Sequence, residues 1–246
     1  MSKPTVCAVM LTCDRPEMAR RAVECFRSQT YQAKKLLVYN SGESDEIECG
    51  CGPECYHVII QFPASASPTI GTLRNLANSY RTGFGHEQSD ILIHWDDDDW
   101  SHPNRIAEQV ALLQSSGADV VGYNEMLFWR EPEMQNSLGL TRPGEAWLYS
   151  GSPAQILGTS LCYWRRTWER KPFEATSQGE DARFIAGLKC GGITSLQGSE
   201  PRMIARIHAG NSSNAYRPDV MAAVERQGGE WRRVPEWDVQ CRSVME

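Results

Sequence analysis

Ile91-Leu92-Ile93-His94-Trp95-Asp96-Asp97-Asp98-Asp99-Trp100 joins a short apolar run to four consecutive aspartates fenced by two tryptophans. The apolar run is of the kind that parallel sheets bury on both faces. The carboxylates therefore fall at the carboxyl end of a buried strand, where open α/β sheets bind their ligands. Crowding four like charges there is costly unless something positive gathers them. A hard divalent cation, Mg²⁺ or Mn²⁺, suits such a set of oxygens. The alternative is a solvated acidic turn, which charge runs usually are. A calcium loop of the EF-hand type fits less well, because its regularly spaced, Gly-punctuated ligands are missing.

Upstream of this run, strand and helix patterns alternate. Thr5 to Leu11 reads as an apolar strand. Asp14 reads as an N-cap, with Pro16 in the first turn and Glu17 three residues on, and the helix that follows turns Met18, Ala22, Cys25 and Phe26 to one face. Lys35 to Asn40 and His57 to Phe62 read as the second and third strands. Thr69 to Tyr80 reads as a helix with Ile70, Leu73, Leu76 and Ala77 inward. Downstream, Pro103 to Gln114 is a helix presenting Ile106, Val110 and Leu113, closed near Gly117, and Asp119 to Tyr123 is a strand. This alternation predicts an α/β fold with a mostly parallel, Rossmann-like sheet covered by helices on both faces.

The remainder is less regular. Met126 to Arg130 and Ala146 to Ser150 fit antiparallel strands, Gly179 to Cys190 a helix, and Arg202 to His208 a strand. Beyond Asn214 the chain is polar and Arg-rich, as a terminal helix or tail would be. With 246 residues, 41% hydrophobic and 23% charged, the composition is that of a globular protein. The net charge of -6 argues against a surface built wholly for nucleic acid, though not against a local basic patch. No stretch approaches the roughly 18 apolar residues of a membrane span, and the N-terminus lacks the features of an export signal. Nine cysteines, an odd number, then read as reduced thiols of a cytoplasmic protein.

Five features stand in order along the chain: Thr12 to Arg15, Gly71 to Asn75, Asp96 to Asp99, Gly179-Glu180-Asp181, and Arg206-Ile207-His208-Ala209-Gly210-Asn211-Ser212-Ser213. Together they resemble the family 2 glycosyltransferases of GT-A fold, over roughly residues 5 to 213. The resemblance implies one GT-A domain over 1–213, with a nucleotide-sugar-binding half at 1–125, an acceptor half at 126–213 that includes a smaller antiparallel region, and 214–246 as the terminal helix or tail. It implies an inverting transfer of a sugar from a nucleotide-sugar donor, with UDP the family's commonest nucleotide, to a hydroxyl acceptor. Asp96 and Asp98 look like the family's Asp-x-Asp pair, Asp98 touching Mn²⁺ or Mg²⁺ directly and Asp96 reaching the ribose or a metal-bound water. Asp97 sits at the family's variable position beside the donor, and Asp99 stands behind the ligands. Asp181 looks like the general base, with Glu180 beside it orienting the acceptor or the loop. Thr12 and Arg15 match the nucleotide-binding turn and Arg74 and Asn75 the family's Arg-Asn, Asn40 is a further donor-binding candidate at a position where the sequence departs from the family, and His208 matches a late histidine that approaches metal or diphosphate.

Each assignment has a plainer reading. Glu180 and Asp181 would also be favoured simply by a helix N-terminus. His208 could be a core histidine, and Arg15 and Arg74 helix-surface residues. The sequence also departs from the family: Tyr39-Asn40-Ser41-Gly42 stands where acidic residues usually precede Gly-Ser, and Cys13-Asp14 replaces an aromatic and Asn. Asn40 offers a nucleobase a different set of donors and acceptors. Cys49, Cys51, Cys55 and His57 could hold a structural Zn²⁺, although their spacing is not a common zinc pattern. The stretch Trp164 to Lys171 mixes aromatics and cations; it fits either a phosphate-bearing acceptor or a helix that packs Trp168 inward. Trp129, Trp147 and Trp164 fit either sugar stacking or core. The acceptor stays open among a glycan, a lipid carrier, a peptide, a small molecule and a modified nucleobase in DNA. Two other functions share these features: a sugar-nucleotide nucleotidyltransferase, whose Gly-rich phosphate loop is missing from Met10 to Arg15, and a non-catalytic nucleotide-sugar- or glycan-binding module.

Overall fold

The computed structural model describes residues 3–43, 55–63, 65–80, 88–132, 143–152, 155–194, 196–197, 200–208, 210–211 and 229–245. Strands β1 (Val6–Thr12), β2 (Lys34–Asn40), β3 (Cys55–Ile59) and β4 (Ile91–His94) pair in parallel in the order β3-β2-β1-β4. Side chains alternate across this sheet. Val6, Ala8 and Met10 enter a core shared with Ala22 and Phe26 of α1 (Pro16–Arg27) and with Ile106, Val110 and Leu113 of α3 (Arg105–Ser116). Cys7 and Val9 enter a second core with Ala77 of α2 (Ile70–Ser79), Phe173, and Phe184 of α5 (Glu180–Ile185). Burial on both faces is why these strands read as continuous apolar runs.

Past β4 the chain forms β5 (Trp100–Ser101), β6 (Val120–Arg130), β7 (Ala146–Ser150), β8 (Cys162–Trp164), α4 (Arg165–Arg170), β9 (Cys190–Thr194), the short pair β10 (Leu196–Gln197) and β11 (Glu200–Pro201), β12 (Met203–Ile207), β13 (Glu230–Arg233) and α6 (Asp238–Met245). β6 is the longest strand. Different stretches of it pair antiparallel with β7 and β8 and parallel with β9 and β12. β13 extends the sheet by pairing with β7, and α6 buries Cys241 and Met245 against Leu127 and Trp129. The segment after 214 thus supplies a strand and a helix built onto the sheet.

Several local expectations need correction. Asp14 does not cap α1: Arg15 is the N-cap residue and makes no side-chain cap hydrogen bond, while Asp14 takes a positive φ of 50°. The Asp14 carboxylate lies against Gly42, where a Cβ would come within 2.1 Å of it, and so it faces away from the helix. Leu76 is 41% exposed, because the rest of α2's inner face already meets the sheet through Ala77. The helix expected from Gly179 to Cys190 ends at Ile185, and after a left-handed Gly187 the chain joins β6 as β9. Met126 to Arg130 is the second half of β6, which continues through a register shift between Tyr123 and Glu125. α3 ends at Gly117 in the left-handed C-cap expected.

Among the described residues every cysteine is an unbridged thiol, and no helix is long and apolar enough to cross a membrane. Of the zinc set, Cys49 and Cys51 lie outside the described residues; Cys55 packs beside the first core.

Candidate active site

A cavity of about 420 Å³ opens beyond the carboxyl end of β4. Asp96, Asp98 and Asp99 line one side of it, Glu180 and Asp181 another, and Arg74 lies between. Thr12, Arg15, Asn40, Asp97 and His208 are not among its lining residues.

The aspartates diverge because each is held differently. Trp95 is buried, with its ring edge-on to Phe26, its indole N–H donating to Ala22 O at 3.0 Å, and the Arg105 guanidinium 4.9 Å from its ring centre. That anchors the start of the acidic run. Asp97 is 2% exposed; it accepts from Thr12 Oγ1 at 2.6 Å and pairs with Arg15 Nη2 at 2.7 Å. It ties the run to the turn after β1. Burial pushes its carboxyl up to about 7, with Arg15 pulling the other way and Asp98 pushing further. Asp99 accepts from Thr159 Oγ1 at 2.5 Å and from the Arg206 backbone N–H at 3.2 Å. Burial, then Asp98 and Asp96, push Asp99 well above the ordinary carboxylate range. Asp96 is raised by burial, opposed by Arg74 and reinforced by Asp98.

Asp98 Oδ2 is the convergence point. It lies 3.0 Å from His208 Nε2, accepts from Asn211 Nδ2 at 3.2 Å, and is 3.4 Å from Arg15 Nη1. His208 Nδ1 accepts the Gly210 backbone N–H at 3.1 Å. The Nε2 nitrogen then carries the proton, so His208 donates to Asp98 and presents it no free lone pair. Oxygens of Asp96, Asp98 and Asp99 lie within 4.8 Å of one another. This set of hard oxygens, two of whose carboxyls are raised by burial first and by their neighbours second, fits Mg²⁺ or Mn²⁺.

Helix α2 and the segment before α5 are zipped together. Asn75 donates from Nδ2 to Phe173 O at 2.8 Å, and its Oδ1 accepts from Phe173 N at 3.0 Å and Trp168 Nε1 at 2.9 Å. The Gly71 and Ile70 backbone N–H groups reach Thr176 O and Ser177 Oγ. Arg74, 8% exposed, lies 3.5 Å from Glu180 and 4.0 Å from Asp96. Burial raises the Glu180 carboxyl against the pull of Arg74. Gly179 precedes the pair at φ 68°, a left-handed N-cap suited to glycine. Asn75 is therefore spent on structure, and Trp168 faces inward.

Asn40 is fully buried, and its Oδ1 accepts the Gly42 N–H at 2.9 Å, so it shapes the loop beside β1. Trp129 is core, while Trp147 bonds Glu145 and Trp164 packs beside the first core under Arg166. None of the three lines the cavity. The sequence reading overlooked Arg105, Thr159 and Asn211. Arg105 is 1% exposed and donates to His94 O, Ser101 Oγ and Thr159 O, linking β4 to the cavity wall. A buried arginine on a helix's inner face leaves no periodic signal. Asn211 stands three residues past His208 in the Arg206 to Ser213 stretch.

No protein-family model matches the chain, and no curated protein matches it. Solved structures do share its fold. S. aureus TarS 1-349 in complex with UDP-GlcNAc superposes with a TM-score of 0.58 at 12% identity, over 91% of this chain and 66% of that one. The mannosyltransferase PcManGT from Pyrobaculum calidifontis, in complex with GDP-Man and Mn²⁺, gives 0.54 at 12% identity, over 84% of this chain and 57% of that one. The chain thus spans about two thirds of the first of these structures and less of the second. At this identity the likeness is one of fold: α/β of the GT-A type, with a mostly parallel, curled sheet.

Proposed function

We propose that the chain is a metal-dependent, inverting glycosyltransferase of the family 2 kind, moving a sugar from a nucleotide-sugar donor to a hydroxyl acceptor. The observation that carries this reading is a single cavity holding a three-carboxylate cluster at the end of β4 and, on a separate element, Asp181 at the start of α5. Glycosyl transfer from a nucleoside diphosphate needs both: stabilisation of the departing diphosphate, and a base for the incoming hydroxyl. The bound ligands of the two solved neighbours support a UDP- or GDP-linked sugar as the first donors to try.

Asp96, Asp98 and Asp99 would hold Mg²⁺ or Mn²⁺, which when bound supplies positive charge against the leaving diphosphate. His208 and Asn211 keep Asp98 turned into the cavity. Arg74, which lies between Glu180 and Asp96, meets an anionic donor oxygen in this reading. Asp181 takes the proton of the acceptor hydroxyl as that oxygen attacks from the face opposite the diphosphate. Thr12 and Arg15 contribute to the donor side by fixing Asp97, and Asn40 by shaping the loop at the end of β2.

The experiment is a thermal-shift panel of nucleotide sugars with and without Mn²⁺, followed by transfer assays on Asp181→Asn. A binding donor stabilises by mass action, about 2.7 kcal/mol at a hundredfold excess over Kd. Asp181→Asn is expected to keep the donor shift and lose about 10²–10⁴-fold in transfer. No shift with any nucleotide sugar sinks the reading, and full transfer by Asp181→Asn sinks the base assignment.

A further inference from the structure

The 3₁₀ turn Gly158–Ser160 touches both sides of the cavity, and the roles assigned so far leave it unexplained. It is held from three directions. His94, at the end of β4, donates from Nδ1 to Gly158 O at 2.8 Å. From α3, Arg105 donates to Thr159 O at 3.2 Å, and Gln109 to Ser160 O at 2.6 Å. From β6, the Tyr123 N–H reaches Ser160 Oγ at 2.8 Å. The turn then makes one contact to each functional cluster. Thr159 Oγ1 donates to Asp99, and the Asp181 carboxylate rests directly on Gly158, where a Cβ would fall 1.5 Å from Asp181 Oδ2 and 2.4 Å from its Cγ.

Gly158 is not among the glycines with positive φ. Its backbone would accept any residue, so the need for glycine is a need for space. That space is filled by the group read above as the base. We propose that the Gly158–Ser160 turn is a positioning device that fixes Asp181 relative to the aspartates, and that residue 158 must be glycine because the Asp181 carboxylate takes the place of its side chain. This rests on the glycosyltransfer reading of Asp181. A methyl at 158 forces the carboxylate aside while leaving Asp96 and Asp98 in place. A shift of about 1 Å in a reacting group costs on the order of 10²-fold in rate.

The test is a double-mutant cycle on the full chain with Gly158→Ala, Asp181→Ala and the pair, read as melting temperature, Mn²⁺-dependent shift with a nucleotide sugar, and transfer kinetics. Gly158→Ala is expected to keep the donor shift and donor KM within about twofold while kcat falls roughly 10- to 100-fold. In the Asp181→Ala background the same methyl meets only the Cβ of residue 181, 2.8 Å away, so its effect on melting temperature and residual rate should shrink sharply. If Gly158→Ala alone is unfolded, recovery of folding in the double variant supports the proposal, and failure in both overturns it. Transfer by Gly158→Ala within about twofold of wild type, or equal losses in both backgrounds, also overturns it. Wild-type protein inert toward every donor would overturn the glycosyltransfer reading, and the proposal with it; a working wild type beside an unaffected Gly158→Ala overturns the proposal alone.

Discussion

Arg15 reaches from the turn after β1 to Asp97, Nη2 to Oδ1 at 2.7 Å, and so fastens the second aspartate of the run to the neighbouring strand. Burial still outweighs this partner and leaves the Asp97 carboxyl at about 7. A carboxyl raised in the folded state holds its proton better there than in the unfolded chain. Its contribution to stability is therefore full below the ordinary carboxylate pKa and is lost as pH rises from about 4 through 7.

The first prediction follows from that sign. Asp97→Asn keeps an acceptor for Thr12 and removes the charge. In EDTA it should be more stable than wild type at pH 8, by on the order of 1–3 kcal/mol, with the difference shrinking toward pH 5. Urea denaturation at the two pH values checks this. A variant weaker than wild type at pH 8 would mean that the Arg15 ion pair governs instead.

Metal should act on the same crowding. Mn²⁺ is expected to raise the melting temperature of wild type, more at pH 8 than at pH 5, because protons compete for Asp96 and Asp99, whose carboxyls are raised. Asp98→Ala should abolish the Mn²⁺ shift and cost about 10²–10³-fold in transfer. An undiminished Mn²⁺ shift in Asp98→Ala would move the cation elsewhere.

His208 offers a sharper discrimination. As a hydrogen-bond donor to Asp98 it should be replaced tolerably by glutamine, whose amide N–H₂ can reach the same oxygen. His208→Gln is expected to keep transfer within about tenfold, and His208→Ala to lose roughly 10- to 100-fold more, the worth of about one hydrogen bond to a charged group. Equal and complete loss of Mn²⁺ affinity in both variants would instead make His208 a ligand.

Arg105 should matter to stability before activity. It is 1% exposed, and its donors satisfy His94 O, Ser101 Oγ and Gln109 Oε1 as well as the wall of the cavity. Arg105→Lys keeps the charge but cannot reach several acceptors at once. A loss of about 2–4 kcal/mol in chemical denaturation is the expected result. A loss below 0.5 kcal/mol, roughly that of a surface change, would show the clamp to be dispensable.

The elements legible in the sequence were those buried on both faces or paired with clear caps. β1, β2 and β4 stood out because no solvent-facing residues interrupt them, and α3 because its apolar period runs unbroken to Gly117. The aspartate cluster was legible as chemistry. What pairs with each carboxylate was not, since Thr159, Asn211 and Arg105 come from distant segments with no local pattern. The expected helix through Cys190 failed for a physical reason: apolar Phe184, Ile185 and Leu188 keep a helical spacing, yet pairing with β6 claims the chain from Cys190 onward. β6 itself read as two strands because polar Asn124 and Glu125 interrupt its apolar run where the register shifts. Glu230 to Arg233 reads as polar tail, yet it is a strand whose Trp231 packs against Phe128 and Tyr149.

β6 has a consequence for how the protein comes apart. Strands β1 to β4 reach it through β8, and the late strands β7, β9 and β12 all bond to it directly. A division of the chain at residue 125 would sever this strand in its middle and leave two open sheet edges, each bare of partners for its backbone. The aspartates and Asp181 therefore belong to one melting unit. Heat that loosens the strands beyond β6 should dissolve the aspartate cavity in the same transition, and the slowest amides to exchange with solvent should cluster along Val120–Arg130.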